Sequence, residues 1–133
     1  MKMKLLTSCV LIVGLVMVCA PVFAHHGSRV SYDLTKPVTM KGTITSFEWQ
    51  NPHVFLSYDA KDASGSVTNW GVELAENPRM LINSRGWTKD TLKPGDEITA
   101  TFFASKAGTP RGILSKLELN GKMIYENNMR GPE

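Results

Sequence analysis

Apolar and polar positions alternate with a period of two over residues 38–49. Val38, Met40, Gly42 and Ile44 alternate there with Thr39, Lys41, Thr43 and Thr45. That is the pattern of a half-buried strand. Asn51-Pro52 breaks it. Val54, Leu56 and Tyr58 then alternate with Phe55, Ser57 and Asp59, which predicts a second strand, and Asp62-Ala63-Ser64-Gly65 supplies turn chemistry after it. Residues 67–74 predict a third strand, with Trp70, Val72 and Leu74 facing the core and Val67, Asn69, Gly71 and Glu73 facing away. Asn77, Pro78 and Gly86 then suit the cap, first position and end of a short helix. Lys93-Pro94-Gly95-Asp96 is a tight turn into a fourth strand over residues 97–104. Residues 112–119 predict a fifth strand, Asn120-Gly121 a hairpin turn and residues 122–125 a short sixth strand.

Three strands, a helix and two or three more strands is the order of a small OB-type barrel. The fold class expected is therefore mainly β: an OB-like β-barrel of five to six strands, with one short helix between strands three and four. Gly42 suits the sharp bend such a barrel needs in its first strand. A β-sandwich would want more strands and no central helix.

Residues ahead of the first strand follow another logic. Lys2 and Lys4 make a basic start, residues 5–18 are almost entirely apolar, and Cys19-Ala20-Pro21-Val22-Phe23-Ala24 ends the run. That is the layout of a secretory signal peptide. The run is short for a membrane span, which needs about 20 apolar residues, and Pro21 interrupts any helix. Cleavage is expected after Ala24. A cut after Ala20 would leave proline first, and Cys19 follows the bulky Val18, which suits lipidation poorly. The organisation expected is a cleaved signal over residues 1–24, an N-terminal arm over 25–37, one barrel domain over 38–128 and a frayed tail over 129–133. The location expected is periplasmic or secreted, with no stable membrane anchor after cleavage.

Processing changes both charge and cysteine content. The chain carries 15 Lys+Arg and 12 Asp+Glu. Lys2 and Lys4 leave with the signal, so 13 basic residues face 12 acidic ones in the mature chain. A near-neutral domain lacks the basic footprint of a nucleic-acid binder, so no nucleic acid is expected as a partner. The partner expected is a periplasmic protein or a small ligand. Cys9 and Cys19 both lie in the signal, so the mature domain must hold together by packing rather than disulfides.

Several short motifs recur in a familiar order: His25-His26, Lys36-Pro37-Val38-Thr39, Gly42-Thr43, Trp49, Asn51-Pro52-His53, Trp70, Glu73-Leu74, Gly86-Trp87-Thr88 and Leu92-Lys93-Pro94-Gly95-Asp96. The pattern resembles a family of small exported bacterial proteins catalogued as a domain of unknown function. The resemblance covers essentially all of the mature chain. The family's usual His-His-Ser is replaced here by His25-His26-Gly27-Ser28. The resemblance implies export and a single β-barrel domain, and it implies no activity.

The histidines carry the candidate chemistry. Cleavage would leave His25 first, with a free amine, next to His26; His53 is the third histidine. The terminal amine and the ring of His25 can close a chelate on a metal, and His53 or His26 can add a further nitrogen. Nitrogen ligands favour copper(II) by affinity order and geometry. The function expected is an exported β-barrel protein that binds copper through His25, His26 and His53. The alternative is a non-catalytic binding module for a small molecule, a saccharide or a partner protein. It would use an aromatic face, with Trp49, Phe55, Glu73 and Trp87 as ligand-binding residues and Phe47 beside them. Glu48, Asp59, Glu73 and Glu76 could in principle pair for acid–base work with His53 as a base. No spacing fixes such a pair, and the mature chain holds no nucleophilic cysteine, Ser-His-Asp set or phosphate loop. An enzyme is the weaker reading.

Overall fold

A computed structural model describes residues 31–129. The chain is mainly β, with six strands and one short helix. They follow the order β1 (Tyr32–Trp49), β2 (Val54–Lys61), β3 (Val67–Glu73), α1 (Pro78–Arg85), β4 (Glu97–Ser105), β5 (Arg111–Leu119) and β6 (Lys122–Glu126). Strands two to six agree with the expected ranges to within two residues at each end.

The pairings close on themselves. β1 pairs antiparallel with β2, β2 with β3, β1 with β4 and β4 with β5. β3 then meets β5 in a short parallel ladder at Gly71↔Arg111, Val72↔Gly112 and Glu73↔Ile113. β6 adds to β5 beyond that ladder. Asn120 and Gly121 have φ of 50° and 80°, the left-handed pair that a two-residue hairpin turn demands.

β1 differs from expectation in two ways. It begins at Tyr32, so residues 32–37 belong to the strand rather than to a free arm. Tyr32 pairs with Ser105 and Pro37 with Phe103, with an irregularity between them. Asp33 organises that stretch by accepting from the Thr35 amide at 3.1 Å and hydroxyl at 2.6 Å. Asp33, Thr35, Lys36 and Pro37 break the apolar alternation, which hides the strand from a periodicity reading. The second difference is a register shift between Ile44 and Ser46. An extra residue in one strand of a pair turns the side chains beyond it to the opposite face. Ile44 lies opposite Tyr58 before the shift, whereas Phe47 and Trp49 lie opposite Leu56 and Val54 after it.

The core is built from Ile44, Val54, Leu56, Tyr58, Val72, Leu74, Phe102 and their neighbours. The Phe102 ring sits 4.8 Å from Trp70 and meets Tyr58 edge-on at 6.5 Å. α1 is capped as its sequence predicts. The Asn77 side chain accepts from the Met80 amide at 2.9 Å, and Gly86 turns left-handed with its amide on the Ile82 carbonyl at 2.9 Å. Leu81 is the buried anchor of α1. Arg85 ties the helix to β6: it pairs with Glu76 at 3.1 Å, donates to the Glu126 carbonyl at 2.8 Å and lies 4.5 Å over the Tyr125 ring.

Candidate functional site

Strand register sets two rows of side chains on the face pointing away from the core. Glu48, Phe55 and Glu73 stand side by side across β1, β2 and β3, and Ile113 of β5, in register with them, is buried at 1% exposed. Ser46, Ser57, Gly71 and Arg111 form the next row. A cleft of about 340 Å³ opens between them, lined by Glu48, Phe55, Ser57, Gly71 and Arg111. Gly71 leaves room here for the arginine to approach. A Cβ at that position would run into the Arg111 guanidinium, so the arginine lies against bare backbone. A glycine inside a strand often marks such a close approach, and that was the one signal for this cleft in the sequence. Arg111 is recognisable as its partner only once β3 and β5 are paired.

Tyr32 joins this face from the start of β1. Its hydroxyl donates to the Glu73 carboxylate. Burial first, then the Glu73 charge and that hydrogen bond, push the phenol up to about 12, with Arg111 pulling the other way. Burial also raises the Tyr58 and Tyr125 phenols. The chain has three tyrosines, so all three hold their protons where an unfolded phenol, near 10, loses it. Their stabilising effect is fully present below about pH 10 and is lost as pH rises through about 12. An alkaline titration is therefore expected to show no phenolate absorbance at pH 10. The absorbance should rise together with loss of the circular-dichroism signal. Phenolate appearing near pH 10 in a chain still folded would contradict this.

The sequence-derived site residues part company. His25 and His26 lie outside the described residues. His53 is exposed just ahead of β2, its ring 6.2 Å from that of Phe55. Phe55 and Glu73 are paired neighbours on the outward face. Trp49 does not join them, because the register shift in β1 turns it, with Phe47, toward the core side. There the Phe47 ring lies tilted 5.8 Å from Trp49 and edge-on 6.3 Å from Trp87. Trp87 is only 5% exposed and packs 5.8 Å from Tyr125. The face shared by Phe47, Trp49 and Phe55 is therefore corrected: one inserted residue divides it. Among the described residues, no three His, Cys, Asp or Glu side chains come close enough together to hold a metal ion. No helix among them is long and apolar enough to cross a membrane.

Three solved structures similar to this chain are crystal structures of the mitochondrial single-stranded DNA binding protein Rim1 from S. cerevisiae. One, a second crystal form, has a TM-score of 0.48 at 10% identity, covering 65% of this chain and 95% of that one. Its selenomethionine-labelled counterpart has a TM-score of 0.47 at 11% identity, over 64% and 94%. The first crystal form has a TM-score of 0.46 at 11% identity, over 64% and 94%. The expectation that nucleic acid is no partner is corrected on this finding. No curated protein matches the chain in sequence. One family profile does, over residues 12–115, and the chain belongs to that family, described as a family of unknown function (DUF6152).

Proposed function

We propose that this protein is an exported, non-catalytic OB-type barrel whose processed N-terminus holds copper together with His53. The circuit of pairings β1–β2–β3–β5–β4–β1, with α1 between β3 and β4, supports the barrel reading. The observation that carries the copper reading is the hydrogen bond from Tyr32 to Glu73. It brings the start of β1 to the end of β3, beside Phe55 and hence beside His53. The stretch from His25 to Tyr32 extends at most about 25 Å. Neighbouring strands are only about 4.8 Å apart, so His53 is within its reach.

In this arrangement His25 offers its amine and a ring nitrogen, His53 another nitrogen, and His26 an alternative. Glu73, held by Tyr32, anchors the arm rather than binding metal. The role that fits is copper holding or delivery. The amine titrates near 8 and imidazole near 6.5, and both must be deprotonated to bind, so affinity rises with pH.

The test compares signal-processed protein, its terminus confirmed by mass, with a form carrying one extra residue before His25. One-to-one copper binding is expected for the first. The added residue, or His53→Ala, should weaken it at least tenfold. Equal and weak binding by all three forms would end the copper reading.

A further inference from the structure

The cleft beside Phe55 has a charge arrangement that copper binding does not use. Among the described residues Arg111 forms no ion pair, unlike Arg85 with Glu76 and Lys116 with Glu126. Two carboxylates stand close by, but Glu73 accepts from Tyr32, and Glu48 accepts from Gln50 at 3.3 Å. The guanidinium comes up against Gly71, with its Nη1 nearest. It lines the cleft while remaining exposed to solvent. A planar fork held in this way matches a carboxylate in two-point contact.

The rest of the lining narrows the ligand. Phe55 supplies an apolar ring face, Ser57 a hydroxyl and Glu48 an acceptor for hydroxyl groups. About 340 Å³ is near the lower end of small-molecule sites. A larger depression of about 450 Å³ includes Lys41 and Lys61 but also Asp59 and Glu97. It has neither a guanidinium fork nor an aromatic ring in its lining, so it lacks the two-point and C–H contacts the smaller cleft offers.

We propose that the cleft formed by Phe55, Ser57, Glu48 and the Arg111 guanidinium against Gly71 binds a sugar acid. Its carboxylate lies on Arg111, its C–H face on Phe55 and its hydroxyls toward Glu48 and Ser57. Copper is not involved, so this site stands or falls separately from the histidine site.

The probe is glucuronate, titrated into the mature protein without copper and followed by backbone amide shifts. Glucose tests the ring without the carboxylate, and acetate the carboxylate without the ring. Glucuronate should bind at least tenfold more tightly than either and should shift the amides of Phe55, Ser57, Gly71 and Arg111. Arg111→Gln should remove that advantage while leaving unfolding unchanged, because the side chain is exposed. Arg111→Lys should restore it only in part, since a point charge cannot form the fork. Glucuronate binding no better than glucose or acetate would overturn the proposal, as would affinity unaffected by Arg111→Gln. Binding of a single-stranded oligonucleotide that depends on Arg111, without glucuronate binding, would also overturn it and assign the cleft to a nucleic-acid surface.

Discussion

Replacing Phe102 with alanine is expected to lower the unfolding free energy by about 3–5 kcal/mol, the range for emptying a buried aromatic site. Phe102 is fully buried on β4, the strand between β1 and β5. Its ring touches Tyr58 and Trp70, and it also closes against β5: a Cβ at Gly112 would run into the ring. The space left by its removal is bounded by paired backbone on both sides. Backbone locked in two ladders cannot collapse into a cavity as a loop can, which places the cost in the upper part of that range. Denaturant unfolding followed by circular dichroism measures it, and a loss under about 1 kcal/mol would mean that this ring is not the centre of the core.

Gly42→Val is expected to destabilise by about 1–3 kcal/mol, the usual cost of forcing extra atoms into packed space. Gly42 is where β1 pairs with β4 on one edge, at Ile98, and with β2 on the other, at Ala60. A Cβ there would collide with the Asp59 carbonyl and the Tyr58 ring. One of those is backbone, so no rotamer change relieves the clash. The strand would have to separate from β2 near the point where the ladder changes partner. Unfolding midpoints compared with Lys41→Val, an exposed neighbour, isolate the effect. Equal stability of the two variants would show that the close approach is dispensable.

Much of this architecture was legible along the chain. Period-two alternation marked β2 and β3, and Asn77, Pro78, Gly86, the Lys93-Pro94-Gly95-Asp96 turn and Asn120-Gly121 marked the later elements because caps and tight turns demand particular backbone geometry. Gly42 was expected to make a bend; the structure shows there a close approach to the Asp59 carbonyl and the Tyr58 ring. The N-terminal third of β1 was not legible, since Asp33 and Pro37 interrupt the alternation while the strand continues around them. The aromatic grouping failed for a related cause. A bulge leaves no mark in composition, yet one extra residue decides which side Phe47 and Trp49 take.

The candidate sites divide along the same line. Residue types mark the histidine nitrogens of the proposed copper site in the sequence itself, whereas nothing local marks Arg111 and Gly71 as parts of one cleft. Amino-acid sequence by itself determined the β-rich class, the element order and the turns, because these follow from the alternation and dihedral preferences of neighbouring residues. Only the tertiary structure decided that Tyr32 meets Glu73, that Arg111 lies against Gly71, and that Phe55 stands apart from Trp49. Those relations depend on closing β3 against β5 and on the register of pairs far apart in the chain, and long-range register is set by the packing of the whole core rather than by any local stretch.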